Sequence, residues 1–200
     1  MYQPETERNY HIFYQILQGL PSSDLKSIGL EDASKFFYLN QGGANARTIP
    51  GVDDAEELRA TEKALDTVGI TSSTRWQIFQ LLGALLHIGN VEIKQTRSDA
   101  FISEDDPHVK YVVDLLGIDA TEYKKWTVKK QITTRSEKIV TALTAPQALV
   151  VRDSVAKFIY ACLFDWLVSV VNESLAKNTE DVASFIGVLD IYGFEHFSKS

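Results

Sequence analysis

The sequence predicts a mainly α-helical chain with a few strands, part of a larger α/β fold. Three observations predict this. Apolar residues recur at steps of three and four in several separate segments, the spacing of one helix face. The strongest strand-like run, Phe185 to Ile191, comes near the end of the 200 residues. Nothing else in the chain is an obvious parallel partner for that run, although the donors and acceptors of a buried strand need neighbours. The rest of its sheet is therefore expected outside this chain.

The elements follow in order. From Arg8 to Leu20, apolar residues at Ile12, Phe13, Ile16, Leu17 and Leu20 fit one helix face, and Gly19 and Pro21 punctuate its end. "PSSDLKSIGL" reads as a turn and a short helix, and Phe36 to Leu39 as a short apolar piece. Asn40 to Gly51 is a loop by its glycines and proline. Asp53 to Val68 is helical, with acids in the first turn where the macrodipole favours them, and Gly69 closes it. Thr71 starts the next helix, whose Ile78, Leu81, Leu82, Leu85 and Leu86 form a face broad enough for deep burial. Val91 to Ile93 is a short strand, and "KQTRSDAFISEDDPH" is a polar surface loop. His108 to Leu116 and Ala120 to Thr127 are two short helices. Lys129 to Thr141 has the β-branched content and alternation of a twisted hairpin. A long helix runs from Thr144 to about Leu175, with Val155, Ile159, Leu163, Trp166 and Val170 as its core stripe. "AKNTEDVAS" then connects to the final strand.

Composition narrows the function. With 44% hydrophobic and 24% charged residues the chain has enough apolar surface for a core. A net charge of −7 disfavours a general nucleic-acid binder. Cys162, the single cysteine, cannot form an internal disulfide, and its apolar surroundings suggest helix packing. The longest apolar run, Phe158 to Val171, is interrupted by Asp165, so no membrane insertion is expected. The reading is cytosolic. His87 falls on an apolar helix face and is read as a core or boundary histidine; His11, His108 and His196 have no metal-ligand spacing. Trp76, Trp126 and Trp166 are read as core.

Two stretches carry chemistry. In "FIGVLDIYGFE" an apolar strand ends at Asp190, followed at the third position by Gly193. An acid at a strand's carboxyl end can hold a magnesium-bound water, and a glycine lets its N–H approach a terminal phosphate. Taken alone, Asp-x-x-Gly more often marks a strand end and a turn. The second stretch, Lys124 to Lys138, carries Lys124, Lys125, Lys129, Lys130, Arg135 and Lys138 against one acid, Glu137, a net +5. Such a patch suits an acidic partner, though a basic run is commonly only a solvated face.

Longer strings sharpen both. "DIYGFE" resembles switch II of the myosins, and the chain resembles a myosin motor domain nearly end to end. "ERNYHIFYQILQGL" (Glu7 to Leu20) is similar to the helix after switch I, and "WQIFQLLGALLHIGNVEI" (Trp76 to Ile93) to a further family helix and strand. "VRDSVAKFIYACLFDWLVSVVN" (Val151 to Asn172) is similar to the long helix of the upper 50-kDa subdomain. "FYLNQGG" and "GVDDAEE" most resemble fungal class V myosins. The phosphate-loop string G-x-x-x-x-G-K-[ST] does not occur in these 200 residues, and switch I should precede them. The chain is thus expected to be a fragment: 1–182 from the upper 50-kDa subdomain with an actin-facing hairpin, and 183–200 the switch II strand and loop of a P-loop-type motor. Exposed strand edges and an uncovered face would make such a piece prone to instability or aggregation.

The resemblance implies roles. Asp190 helps hold Mg²⁺ through water, the Gly193 N–H meets the γ-phosphate of ATP, and Glu195 pairs with a switch I arginine to close the pocket. Asp190, Ile191, Gly193 and Phe194 line the nucleotide, while Tyr192 has no assigned role. Lys129, Lys130, Arg135, Glu137 and Lys138 belong to a loop that binds F-actin. The family's rule for that loop requires an acid, or a phosphorylatable Ser or Thr, sixteen residues before Asp153, and Glu137 stands there. Lys94 to Phe101 resembles another actin-facing loop. The parent protein is implied to be an actin-activated Mg-ATPase on the actin cytoskeleton; light chains or calmodulin would bind outside this chain, which is not expected to turn over ATP alone. The alternative is a non-catalytic helical module that binds a protein partner. A kinesin or GTPase relative would share Asp-x-x-Gly but lacks the "ERNYHIF" and long-helix strings.

Overall fold

A computed structural model describes residues 7–133, 137–176 and Ser184. Among these the chain forms α1 (His11–Gly19), α2 (Ser22–Ser27), α3 (Gly43–Ala46), α4 (Asp54–Thr67), α5 (Ser72–Asn90), β1 (Ile93–Thr96), β2 (Asp99–Ile102), α6 (Pro107–Leu116), α7 (Ala120–Val128), β3 (Lys129–Thr133), β4 (Lys138–Ala142) and α8 (Ala145–Leu175). Two single-turn 3-10 helices, Ala33–Lys35 and Phe37–Leu39, lie between α2 and α3. The strands pair as two separate antiparallel hairpins, β1 with β2 and β3 with β4.

The helices begin where the sequence supplies caps. Asp53 accepts from the N–H groups of Ala55 and Glu56, and Thr71 from that of Thr74. Asp106 caps α6 and Asp119 caps α7 in the same way. Each such side chain satisfies a donor the helix cannot, and contributes about 1 kcal/mol. Gly117, at φ 65°, ends α6 in the left-handed region.

The core forms around α5. Its Leu82, Leu85, Leu86 and Ile88 are buried, with α6 on one flank and α8 on another. Phe13 and Ile16 of α1, Ile28 and Leu30 after α2, Phe36, Tyr38 and Leu39 of the 3-10 turns, and Val112 of α6 complete it. Gly89 of α5 allows Tyr38 to lie flat on the helix: a Cβ there would sit 2.7 Å from the tyrosine ring. Gly89→Ala is therefore expected to push Tyr38 out of place and to destabilise the chain by about 1–3 kcal/mol, read as a lowered midpoint of denaturant unfolding.

Two buried polar arrangements hold elements distant in sequence. Arg8, with a side chain only 4% exposed, grips Asp54 at the start of α4 through two bonds of 2.8 and 2.9 Å. Its Nε donates to His11 Nδ1 at 3.1 Å, and its guanidinium carbon lies 4.7 Å from the centre of the Tyr14 ring. The second arrangement centres on the buried His87. Its Nε2 bonds the Ile28 carbonyl at 2.9 Å and its Nδ1 faces His108 Nδ1 at 2.9 Å. Its ring stacks on Tyr111 and meets the edge of Phe36.

Five expectations are corrected. The loop Asn40 to Gly51 contains the one-turn helix α3. The strand expected at Val91 to Ile93 and the polar loop after it are instead the β1–β2 hairpin, its register running from Ile93↔Ile102 to Thr96↔Asp99. Backbone pairing, together with Ala100 and Ile102 turned into the core, outweighs the polar composition of the stretch. Cys162 is exposed, and Trp126 and Trp166 are exposed too. The core stripe of α8 also differs. Ala148, Arg152 and Ala156 are buried, with Ile159 and Leu163 packed on the core edge, while Val155 and Trp166 face solvent. Beyond Ala156 Tyr160 stacks on Tyr10, but many of the apolar side chains of this helix are uncovered, up to 69% exposure at Phe158 and 79% at Leu175. By length and composition alone α8 is apolar enough to cross a membrane, which the interruption at Asp165 had argued against.

Candidate functional site

The hairpin singled out by its charge is built by its neighbours. α7 runs directly into β3, and Thr127 ties its hydroxyl back to the Tyr123 carbonyl at 2.8 Å. Strand pairing runs from Lys129↔Ala142 through Ile132↔Ile139 to Thr133↔Lys138. Because side chains alternate across a strand, the hairpin has two unlike faces. One carries Lys129, Gln131, Thr133, Lys138, Val140 and Ala142. The other carries Lys130, Thr141 and the cross-strand pair Ile132 and Ile139, both exposed.

The positive charge is narrower than the sequence count suggested. Lys124 pairs with Glu104, and Lys125 with Glu122 at 3.3 Å while lying 4.6 Å from the Trp126 ring centre. Among the described residues no ion pair holds Lys129, Lys130 or Lys138, and all three are exposed. Glu137 is exposed just before β4. Arg135 lies outside the described residues.

The base of the hairpin is clasped. Leu143 donates its N–H to the Val128 carbonyl at 2.9 Å, and its own carbonyl accepts from Ala100 of β2 at 2.8 Å. Gln95 of β1 reaches across to accept the Ala145 N–H at 2.9 Å, satisfying a free donor of the first turn of α8. One residue between β4 and α8 thus joins both hairpins, and a side chain from β1 caps the helix they lead into.

Two turns further along α8 sits a polar cluster that sequence reading missed. Arg152, 7% exposed, donates from Nη1 to the Val91 carbonyl at 3.2 Å and from Nε and Nη2 to Asp153 Oδ1 at 3.0 and 2.9 Å. The Tyr38 hydroxyl donates to the same carboxylate oxygen at 2.7 Å. Burial and the neighbouring carboxylate push the Tyr38 phenol up, so it remains a neutral donor. The Tyr38 carbonyl accepts from Asn9 Nδ2 at 2.9 Å. The signal was present in the sequence: Ala148, Arg152 and Ala156 recur at steps of four, and an arginine between two small residues on a buried stripe requires acceptors.

Asp190, Ile191, Gly193, Phe194 and Glu195, proposed for nucleotide, lie outside the described residues, as does the strand expected at Phe185 to Ile191. Among the described residues no group of three or more His, Cys, Asp or Glu side chains is placed to hold a metal ion.

A helical body presents two clasped hairpins at the foot of one long helix, and the string "DIYGFE" follows in sequence. The chain belongs to the myosin head (motor domain) family, whose model matches residues 1–200. It is 57% identical over 202 residues to Myosin-2 of Saccharomyces cerevisiae, an alignment covering 100% of this chain and 13% of that protein. Myosin-4 of the same yeast is 53% identical over 204 residues, covering 100% of this chain and 14% of that relative. Myosin-52 of Schizosaccharomyces pombe is 51% identical over 205 residues, covering 100% and 13%. The chain therefore spans about one seventh of the length of these relatives.

Proposed function

We propose that this chain is part of an actin-based motor that couples ATP binding and hydrolysis to movement along actin filaments, serving intracellular cargo transport in the cytoplasm. The observation that carries this reading is the family match over every residue from 1 to 200. In this reading residues 1–182 belong to the upper 50-kDa subdomain and 183–200 to the switch II strand and loop. The uncovered half of α8 is a face for the remainder of the head, which accounts for its apolar surface without a membrane.

Lys129, Lys130, Arg135 and Lys138 then face the acidic surface of F-actin, and the two hairpin sides contribute differently. The lysines steer association and supply salt-sensitive attraction, while the Ile132–Ile139 pair supplies apolar contact. Glu137 gives a fixed negative charge at a position where relatives would otherwise need phosphorylation. On the nucleotide side, ATP with Mg²⁺ supplies the phosphoryl group transferred to water. Asp190 orients a metal-bound water, Gly193 presents a backbone N–H, Glu195 closes the pocket, and Ile191 and Phe194 line it; such chemistry is driven by positioning and electrostatics.

The test has two arms. The complete protein is expected to show actin-activated Mg-ATP turnover, and Lys129→Ala with Lys130→Ala to weaken actin binding about 2- to 5-fold at low salt, an effect that fades as salt rises. The 200-residue chain alone, lacking the phosphate loop, is expected to show none. Robust hydrolysis by the isolated chain, or no actin activation of the complete protein, overturns the reading.

A further inference from the structure

The clasped hairpins and the buried cluster lie on the same helix, and the cluster reaches across the molecule. We propose that Tyr38, Arg152 and Asp153 are positioning residues that make α8 and the segment ahead of α1 move as one body, so that displacement of the β3–β4 hairpin by its partner is carried to Asn9. The inference rests on the motor reading above and names the residues through which that reading acts.

The links are short hydrogen bonds, fully buried at Asn9 and at Val91 and partly buried at Asp153. Leu143 and Gln95 fix the first turn of α8 to both hairpins. Seven residues of helix, about 10 Å, separate Ala145 from Arg152. There the guanidinium is held at Val91, where α5 turns into β1, and at Asp153, and it lies 5.5 and 5.9 Å from the Phe37 and Tyr38 ring centres. Asp153 binds the Tyr38 hydroxyl, and the Tyr38 ring rests on Gly89 of α5. The Tyr38 carbonyl holds the Asn9 side chain, and the Asn9 N–H donates to the Tyr14 hydroxyl at 3.2 Å. A buried arginine with this set of partners cannot slide along its neighbours without exposing several unpaired polar groups at once, so the cluster transmits displacement rather than absorbing it.

The test uses the complete motor with Tyr38→Phe, which removes one hydroxyl, leaves the ring against Gly89 and leaves Asp153 paired with Arg152; the fold is therefore kept. Four quantities are read: actin-free Mg-ATP turnover, turnover at saturating actin, the actin concentration for half-activation, and the thermal midpoint. Turnover at saturating actin is expected to fall roughly 3- to 10-fold, the range of a coupling residue that contacts neither ligand. Actin-free turnover and the half-activating actin concentration should be unchanged. Asp153→Ala should act in the same direction, and adding Tyr38→Phe to it should lower saturating turnover no further, because the acceptor of that hydroxyl is already gone. An unchanged saturating rate for Tyr38→Phe overturns the proposal, as does an equal fall in actin-free turnover, which would mark a purely structural role. If the unaltered protein shows no actin activation, the motor reading itself fails and takes this inference with it, an outcome separate from a normal motor that tolerates Tyr38→Phe.

Discussion

Asp54→Ala is expected to destabilise the chain by about 3–5 kcal/mol, the cost of removing one partner of a buried ion pair. Asp54 is the second acid of "GVDD" and sits in the first turn of α4, its side chain 10% exposed. Both its oxygens are engaged by Arg8, and among the described residues no other carboxylate pairs with Arg8: Nε is committed to His11, and the Tyr14 ring covers one side of the group. With the carboxylate gone, a guanidinium remains buried with, among the described residues, His11 and the Arg47 carbonyl as its acceptors. The loss should appear as a thermal midpoint lower by about 10 °C for a chain of this size. Replacing the pair together, as Arg8→Met with Asp54→Leu, should recover most of it, because the charge that needed a partner is removed as well. If Asp54→Ala and the double replacement unfold at the same midpoint, the pair is not what holds α4 to the segment before α1.

The second large effect is on pH. Burial, helped by the nearby His108 and opposed by the hydrogen bond to Ile28, pulls the His87 imidazole down to about 4. An imidazole in the unfolded chain binds its proton near 6.5. Between those values the unfolded state holds more protons than the folded one, so stability falls as pH falls from about 6.5 to about 4 and levels off below that. The full loss is about 3 kcal/mol. Geometry explains why the folded ring resists. With Nε2–H given to Ile28, Nδ1 accepts from His108 Nδ1–H, and a second proton on His87 finds a donor facing it. His108 is itself shifted down by burial, although Asp106 and Glu31 pull the other way. His108 can take a proton on its Nε2 while still donating from Nδ1, so His87 sets the acid limit. Denaturant unfolding at several pH values should show this slope, and His87→Gln should flatten it. A wild-type stability that is constant from pH 6.5 to 4 would contradict the account.

How far the sequence predicted the fold depended on whether the deciding contact was local. α5 was legible because its apolar residues are dense enough to be buried on any side, and β3–β4 because β-branched residues alternate. The starts of α4 and α5 were legible from the acids at Asp53 onward and from Thr71, whereas the caps Asp106 and Asp119 of α6 and α7 were not read. The β1–β2 hairpin was not, since its residues are polar and its pairing depends on Ala100 bonding to Leu143 forty-three positions away. For the same reason the Arg8–Asp54 grip and the Tyr38–Asp153 bond, across 46 and 115 positions, had no local trace. The stripe on α8 was misplaced because periodicity marks an apolar face without saying which part has a partner within the chain. For the candidate sites, the hairpin's lysines were identifiable, but not that Glu104 and Glu122 already occupy Lys124 and Lys125.

The knot at Leu143 limits how this region can be re-engineered. A single carbonyl and a single glutamine make the two hairpins one unit with the helix that follows. Grafting the β3–β4 loop from another myosin while leaving β1–β2 in place would disturb the seam at Ala100 and shift the opening N–H of α8 away from Gln95. Exchange of surface loops between relatives should therefore succeed as a block from Ile93 to Ala145 and falter piecemeal.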